Sequence, residues 1–428
     1  MIKILDATGE GSTEILKDIL DRGDKESSDI TKSVMEILAG VEKDGDTALK
    51  EFTKKFDGVE IDDFLVSQDE IEAAYLQCDE DFIKAMKRAK DNIWDYHQKQ
   101  LKESWITNKS SGIILGQLYN PMEKVGIYVP GGTAAYPSSV LMNAIPAKVA
   151  GVGKIIMVTP PLKDGTVNKN ILAAARIAGV DKVYKVGGAQ AVAALANGTQ
   201  TIGKVDKIVG PGNIYVAAAK RLVFGKVDID MIAGPSEVLI VADETANPRY
   251  VAADLLSQAE HDVLASSILV TTSPEIAKEV AKEVEIQTKT LSRREIIEKS
   301  LSDYGAIVVV KSLDDAMKFA NEIAPEHLEM AVKDPFSTIG KIKNAGAIFL
   351  GEYSPEPLGD YFAGPNHTLP TSGTARFFSP LGVDDFVKKS SLVYYDRKNL
   401  EQVKDDIIKI AQKEGLDAHA NSVEVRFE

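Results

Sequence analysis

Short apolar runs of strand type alternate with segments of helical spacing along most of this 428-residue chain. In a first array, each strand-like run precedes a helix-like segment, and the runs are KVGIYV, KIIMVTPP, KVYKVGG and KVDKIVG. In a second array the same rhythm continues through EVLIVAD, SSILVTTS, AIVVVKS and AIFLG. Such alternation predicts parallel sheets covered by helices, because parallel strands need a helix-sized connection between them.

The two ends of the chain depart from this rhythm. The pattern over residues 1 to about 110 predicts mostly helix, with one helix capped by Ser67. From about residue 383 the pattern predicts a helix followed by a polar tail. The expected fold class is α/β, with two incomplete Rossmann-like parallel-sheet domains, a helical N-terminal region and an extended C-terminal tail. We expect an N-terminal arm over 1–22, a discontinuous main α/β domain over 23–127 and 237–382, a second α/β domain over 128–236, and a tail domain over 383–428.

The composition argues against several classes of function. A formal net charge of −14 does not fit nucleic-acid binding through a basic surface. The sequence contains no run of about 18 apolar residues that would predict a membrane span, and its start lacks the apolar core of a signal peptide. Cys78 is the only cysteine, so an intrachain disulfide is impossible and we expect a cytoplasmic protein.

The histidines are few and unevenly placed. Four of the five fall in polar contexts within roughly the last 170 residues: His261, His327, His367 and His419. Imidazole transfers protons near neutral pH and binds divalent metals, so these residues predict a metal site beside an acid–base site. The fifth, His97, ends a predicted helix among Gln and Lys residues, and we interpret it as a surface residue.

Two sequence segments offer further metal ligands. Gln258 and His261 stand three residues apart in LLSQAEHD, on one face of a predicted helix, although an ordinary polar helix end would explain the pair equally well. Asp360 lies in the Gly/Pro-rich stretch SPEPLGDYFAGPNHTLP, which we interpret as a loop after the last strand. Because ligands collect at the carboxyl ends of strands, Asp360 could complete a metal shell there, with His367 near substrate; the alternative is an aspartate that caps its own turn.

Glu326 and His327 are adjacent in IAPEHLEM, directly after Pro325, which is expected to end the preceding helix. A carboxylate and an imidazole side by side can act as separate bases in successive steps. The alternative is a pair at a helix end that faces solvent.

Glycine-rich turns occur between predicted strands and helices. These turns are Gly131-Gly132, Gly187-Gly188 and Gly210-Pro211-Gly212. Backbone amides at such turns can hold phosphate, but glycine also serves tight turns for steric reasons alone. The G-x-G-x-x-G fingerprint of dinucleotide sites does not follow any strand here.

A set of longer motifs is more specific than any of these single features. In chain order, the motifs are YVPGG, VGGAQA, VGPGN, AGPSE, LLSQAEHD, PEHLE, GDY with GPNH, and DAHANS. The chain resembles the histidinol dehydrogenase family in all of them, and therefore over essentially its whole length. That family oxidises L-histidinol to L-histidine through histidinaldehyde, the last step of histidine biosynthesis, with two NAD⁺ and one bound Zn²⁺.

The resemblance implies a role for individual positions. The implied zinc ligands are Gln258, His261, Asp360 and His419, and the implied catalytic bases are Glu326 and His327. Substrate contacts are implied at Ser236, His367 and Glu414, as well as at His327 and the four zinc ligands. NAD contacts are implied at Tyr128, Gln190 and Asn213. The family forms homodimers with intertwined tails, so the resemblance also implies that His419 and Glu414 enter the active site of a partner subunit.

The implied chemistry assigns different steps to the two bases. His327 would remove the alcohol proton in the first oxidation, and Glu326 would deprotonate the water that hydrates the aldehyde. Because Cys78 lies in an acidic stretch that disfavours a thiolate, we predict that the aldehyde step is non-covalent. Three alternatives remain: a zinc hydrolase in which Glu326 activates water, an inactive relative that only binds, and a dehydrogenase of broader amino alcohols.

Overall fold

The structure, a computed structural model, describes residues 2–8, 28–131 and 135–428. Its strands are β1 (Lys3–Asp6), β2 (Trp105–Ser110), β3 (Ile113–Pro121), β4 (Lys124–Tyr128), β5 (Lys154–Thr159), β6 (Lys182–Lys185), β7 (Lys207–Val209), β8 (Asp228–Ile229), β9 (Glu237–Ala242), β10 (Ser266–Thr271), β11 (Gly305–Val309), β12 (His327–Ala331), β13 (Ala347–Leu350) and β14 (Val387–Tyr395).

The helices within the same ranges are α1 (Ser28–Asp44), α2 (Asp46–Phe56), α3 (Gln68–Leu76), α4 (Glu80–His97), α5 (Pro137–Ala150), α6 (Lys169–Ala178), α7 (Gly188–Asn197), α8 (Ile214–Val223), α9 (Pro248–Ala259), α10 (Pro274–Thr288), α11 (Arg294–Tyr304), α12 (Leu313–Ile323), α13 (Glu356–Tyr361), α14 (Arg397–Lys413) and α15 (Asp417–Glu424). Short 3₁₀ helices cover Gln98–Gln100, Pro335–Lys341, Thr374–Arg376 and Val383–Phe386.

Two parallel sheets contain most of the strands, which confirms the α/β fold class. The larger sheet has the order β1-β11-β10-β9-β12-β13, and the smaller has the order β6-β5-β4-β7-β8. Every strand pair in both sheets is parallel. The edge strand β1 lies inside the N-terminal region that the sequence predicts as helical, and it pairs with β11.

Each parallel sheet reverses its strand order once. In the smaller sheet, β5 and β6 extend to one side of β4, whereas β7 and β8 extend to the other. In the larger sheet, β10 and β11 lie on one side of β9, whereas β12 and β13 lie on the other. The reversal points therefore lie between β4 and β7 and between β9 and β12. Such points form crevices in which α/β proteins bind ligands.

Helices bury both faces of the larger sheet. Val238 and Ile240 of β9 pack in one core with residues of α9, α10 and α11, whereas Leu239 and Val241 pack in another with residues of α12. All six residues of β9 are buried. Burial on both faces explains why these strands read as continuous apolar runs rather than as alternating ones.

The predicted N-terminal helices are present and end at identifiable residues. Ser67 caps α3 through a capping box with Glu70, as predicted. The long helix expected after Ser67 is divided, because Asp79 caps a new helix with its own side chain. Gly45, at a φ of +55°, separates α1 from α2. Among the described residues, no helix combines the length and the apolar character that crossing a membrane requires.

The contacts divide the chain into two compact units. The first comprises Met1–Gln100 and Met122–Phe386, and the second comprises Leu101–Pro121 and Val387–Glu428. The second unit has an antiparallel sheet in the order β14-β3-β2, together with α14 and α15. Strand β14 was not predicted, because KKSSLVYY lacks a clear alternation of polar and apolar residues. The predicted polar tail contains the helix α15.

Candidate functional site

The adjacent residues Glu326 and His327 lie at the amino edge of the larger sheet, at its reversal point. His327 is the first residue of β12, and it pairs with β9. The backbone of Glu237, the first residue of β9, contacts both side chains. Its N–H donates to Oε2 of Glu326 at 2.9 Å, and its carbonyl oxygen lies 3.0 Å from Nδ1 of His327. Since a carbonyl only accepts, Nδ1 carries a hydrogen, and Nε2 is the atom that gains or loses the second proton.

Asp360 reaches the same edge from a short helix. Contrary to the sequence-based expectation, it does not lie in a loop beyond the carboxyl ends of the strands. Helix α13 starts at Glu356, whose N–H donates to Glu329 in the middle of β12 at 2.8 Å. One turn later, Oδ1 of Asp360 lies 3.5 Å from Nε2 of His327 at the start of β12. The helix thus runs back along the strand, which brings its last turn to the amino edge.

A metal-type cluster forms where α9 and α13 end. Ligand atoms of His261, Glu356 and Asp360 all lie within 4.8 Å of one another. The fully buried Gln258 lies beside the cluster, where its amide nitrogen can donate to Glu356 at 3.0 Å. The helix that carries Gln258 ends at Ala259, earlier than predicted, and a turn brings the His261 N–H to within 3.2 Å of the Gln258 carbonyl.

The cluster fits a divalent cation. An imidazole with carboxylate and amide groups is a donor set that zinc accepts. The C-terminal end of α9 adds the negative end of a helix dipole, which favours a cation. Nε2 of His327 is buried and has no hydrogen-bond partner among the described residues, so one more polar group or ligand is expected beside it.

Burial and charge shift the proton affinities at this edge. Burial raises the pKa of Glu326 to about 8. Burial lowers the pKa of His327, but the carboxylates of Glu356 and Glu326 outweigh it and leave that pKa well above its ordinary value. A bound cation would oppose this rise, because it repels an imidazolium. Burial lowers the pKa of His261, which favours the neutral imidazole that a metal requires.

His367 and Ser236 also lie at the amino edge of the larger sheet. Nδ1 of His367 lies 3.0 Å from the carbonyl oxygen of Asp360, and its Nε2 lies 3.2 Å from Oγ of Ser139 in α5. Ser236 immediately precedes β9, where its carbonyl oxygen accepts from the Ser266 N–H. The first unit therefore brings together seven predicted positions, which are Ser236, Gln258, His261, Glu326, His327, Asp360 and His367.

The other two positions predicted for the metal and the substrate belong to the second unit. Glu414 caps the end of α14, and His419 lies in α15. Both side chains are exposed. Their roles stay predictions that rest on the family resemblance.

The predicted NAD contacts lie at the carboxyl edge of the smaller sheet. Tyr128 ends β4, and its hydroxyl accepts from the Gly188 N–H at 3.1 Å. Burial raises the pKa of Tyr128 to about 12, so it stays neutral. Asn213 caps α8, and Gln190 is buried in α7. Of the predicted phosphate turns, Gly132 lies outside the described residues.

Sequence reasoning missed Glu356 and Ser139. Glu356 precedes Asp360 by four residues, the spacing of neighbours on one helix face, but a Pro-rich segment interpreted as a loop concealed that spacing. Ser139 is buried in α5 and has no sequence signal apart from the helix itself.

The interpretation of His97 as a surface residue is wrong. It is fully buried on the face of α4 that also buries Ile93, and Nδ2 of Asn366 lies 3.4 Å from its Nε2.

Comparison with known proteins decides the family. A family model described as histidinol dehydrogenase matches residues 20–427. The chain belongs to the histidinol dehydrogenase family. It is 59% identical to the histidinol dehydrogenase of Clostridium acetobutylicum over 427 residues, covering 100% of this chain and 99% of the relative. A histidinol dehydrogenase of Lactococcus lactis is 53% identical over 430 residues, covering 100% of each chain.

A solved structure gives the same result. The crystal structure of histidinol dehydrogenase from Elizabethkingia anophelis superposes with a TM-score of 0.94 at 40% sequence identity, covering 100% of this chain and 98% of that one. The resemblance stated from the motifs is therefore confirmed, and with it the assignment of the chain to the oxidoreductases.

Proposed function

We propose that this chain oxidises L-histidinol to L-histidine through histidinaldehyde in two successive oxidations that use NAD. Membership of the histidinol dehydrogenase family supports this as the final step of histidine biosynthesis. The observation that carries the chemistry is the pair of buried bases, Glu326 and His327, that lies against a metal-type cluster.

Four side chains would hold one zinc ion: Gln258, His261, Asp360 and His419. The three from the first unit lie at or beside the cluster, and Glu356 offers a further oxygen there. When bound, zinc would fix the amine and imidazole of histidinol, and NAD would take up hydride from the alcohol carbon. The identity of the metal, zinc rather than manganese, is part of this proposal.

His327 would remove the proton of the substrate alcohol in the first oxidation. Its Nδ1 is held by the carbonyl of Glu237, so only Nε2 is available to accept that proton. Asp360, at 3.5 Å from Nε2, would stabilise the imidazolium that forms. The Glu237 carbonyl also fixes the ring orientation, which a general base requires for efficient transfer.

Glu326 would deprotonate the water that adds to histidinaldehyde. The hydrate formed in this way still carries the hydrogen that the second oxidation removes. A carboxyl group with a pKa raised to about 8 both accepts and returns a proton near neutral pH. The hydrogen bond from the Glu237 N–H aims one oxygen of Glu326 and leaves the other available.

Ser236, His367 and Glu414 would contact the substrate. His367 is supported by its contacts with Asp360 and Ser139 at the same edge. Glu414 and His419 would come from the tail of a partner subunit in a homodimer. We also keep the division into an arm, two α/β domains and an exchanged tail domain as a proposal, together with a cytoplasmic location that fits the single cysteine.

The direct test follows NADH by its absorbance at 340 nm with histidinol, NAD⁺ and the purified chain. We expect two NADH for each histidinol consumed, and histidine as the product. Hydrolysis of an amino-acid derivative without NADH would instead favour a metal hydrolase that uses Glu326. Mixing His261→Asn and His419→Asn variants tests the shared site, since mixed dimers should regain activity and separate dimers should not.

A further inference from the structure

A buried ion pair lies beneath the reversal point of the smaller sheet. Lys220 of α8 pairs with Asp230, which follows β8, and the side chains are 3% and 1% exposed. Burying two charges costs free energy that their mutual attraction recovers only when further hydrogen bonds complete the arrangement. Most of the hydrogen bonds that complete the Lys220–Asp230 pair involve a single residue.

That residue is Gly210, which directly follows β7. Nζ of Lys220 donates to the Gly210 carbonyl oxygen at 2.9 Å, and the Gly210 N–H donates to Oδ2 of Asp230 at 2.7 Å. The other oxygen of Asp230 accepts from the Met231 N–H at 2.6 Å. The ion pair therefore holds both polar groups of Gly210, in addition to the backbone after β8.

The conformation of Gly210 needs such support. Its φ is +111°, which side-chain-bearing residues rarely adopt. A Cβ at this position would lie 2.2 Å from the carbonyl oxygen of Tyr128, so the ends of β4 and β7 approach as closely as only glycine allows. Tyr128 in turn accepts from Gly188, which begins α7. The turns that follow β4, β6 and β7 thus meet at Tyr128 and Gly210.

We propose that Lys220 and Asp230 are positioning residues for the dinucleotide: the pair fixes Gly210, and with it the turn that leads to Asn213. This inference rests on the proposed use of NAD at this edge. A crevice at a reversal point, next to the N-terminus of α8, suits an anionic dinucleotide. NAD affinity should therefore depend on a charge pair that does not touch the ligand.

The test compares two Lys–Asp pairs of the same sheet. One double variant joins Lys220→Met to Asp230→Asn. The control joins Lys207→Met to Asp228→Asn, since Lys207 is also buried and lies 3.0 Å from Asp228. This second pair differs in that Asp228 is half-exposed and Lys207 also lies 3.5 Å from Asp385. For each protein, calorimetry gives the dissociation constant for NAD without histidinol, and thermal unfolding and bound-metal content are measured alongside.

We expect the Lys220/Asp230 double variant to bind NAD about tenfold more weakly, with metal content and KM for histidinol unchanged. The control should lose stability and keep its NAD affinity. Equal NAD affinity in both variants, or equal weakening in both, would overturn the proposal. If the native protein itself binds no NAD, the proposed use of NAD is wrong. If only the variants fail to differ, the positioning role is wrong and the proposed use of NAD stands.

If the Lys220/Asp230 double variant does not fold, a single substitution tests the same proposal. Asp230→Asn alone keeps one oxygen that can accept from the Gly210 N–H, but it removes the charge and the oxygen that accepts from the Met231 N–H. The proposal predicts a severalfold higher dissociation constant for NAD in this variant. A value within twofold of the native protein would contradict it.

Discussion

The two parallel sheets of this chain carry their candidate sites at opposite edges. At the larger sheet, Glu326 and His327 lie at the amino ends of the strands, where α9 presents its C-terminus. At the smaller sheet, Tyr128 and Gly210 lie at the carboxyl ends, where helices present their N-termini. The dipoles of the covering helices therefore favour a cation at the first edge and an anion at the second.

If both proposed sites are correct, a reversal point does not fix the kind of ligand by itself. Both sheets reverse their strand order once, yet the larger sheet carries its candidate site at the edge that the usual rule for α/β proteins disfavours. The candidate site lies at that edge because α13 runs back along β12 and places the carboxylates of Glu356 and Asp360 there. The following changes separate the two edges, from the largest expected effect to the smallest.

The largest effect is expected from His327→Asn at the amino edge. Asparagine cannot accept the alcohol proton, so we expect kcat for the first oxidation to fall by about 10² to 10⁴. Because His327 is not among the proposed ligands, bound metal and NAD affinity should stay at native values. Metal analysis and stopped-flow absorbance at 340 nm check this. Metal loss as large as in His261→Asn would argue against separate roles.

His261→Asn should affect metal content and activity together. His261 is one of three residues whose ligand atoms lie within 4.8 Å of one another, so its loss removes a ligand rather than a base. We expect metal affinity to fall by more than the roughly 10- to 100-fold that loss of an outer-shell partner costs, and excess zinc to restore part of the activity. NAD binding at the opposite edge should not change. A change in NAD affinity of the same size would show that the two edges are not independent.

His97 should make the stability depend on pH. Burial lowers its pKa from 6.5 to about 4 in the folded chain, so the unfolded chain binds the proton more tightly. The contribution of neutral His97 is fully present above about pH 6.5 and is lost as the pH falls toward 4, by about 3 kcal/mol at most. Urea unfolding of native protein and His97→Gln between pH 4 and 7 measures the difference. Identical pH slopes would contradict the prediction.

The smallest effect is expected from Cys78→Ser, because Cys78 lies at neither of the two candidate sites. Sγ of Cys78 lies 3.3 Å from the Ala74 carbonyl oxygen and 3.4 Å from Oδ1 of Asn170. Burial raises the pKa of this thiol, in the direction predicted from its acidic surroundings, although the cause is different. Both half-reactions should stay within twofold of native rates. Loss of aldehyde oxidation alone would mean that the route is covalent.

Periodicity and motif order predicted much of the fold and of the site. The alternation of strand and helix signals predicted both parallel sheets, because most of their strands are buried apolar runs bounded by turns. It missed β1, β2, β3 and β14, whose residues are mostly exposed or only partly buried, and the two-residue β8. It also missed β12, a buried strand whose sequence HLEMA mixes polar and apolar residues directly after a helix. The adjacency of Glu326 and His327 could be recognised from sequence. The contribution of Glu356 could not, because it depends on α13 running back along β12.

The backbone of Glu237 fixes the two bases relative to each other. A single residue of β9 holds Glu326 through its N–H and His327 through its carbonyl oxygen. The relative position of the two bases is therefore encoded in strand register, here His327 opposite Val238, rather than in any side chain. A slip of one residue, about 3.3 Å, would misplace both bases at once. Substitutions at position 237 that preserve the strand should leave the two bases aligned, even where they remove the carboxylate oxygen that accepts from the Ser372 N–H.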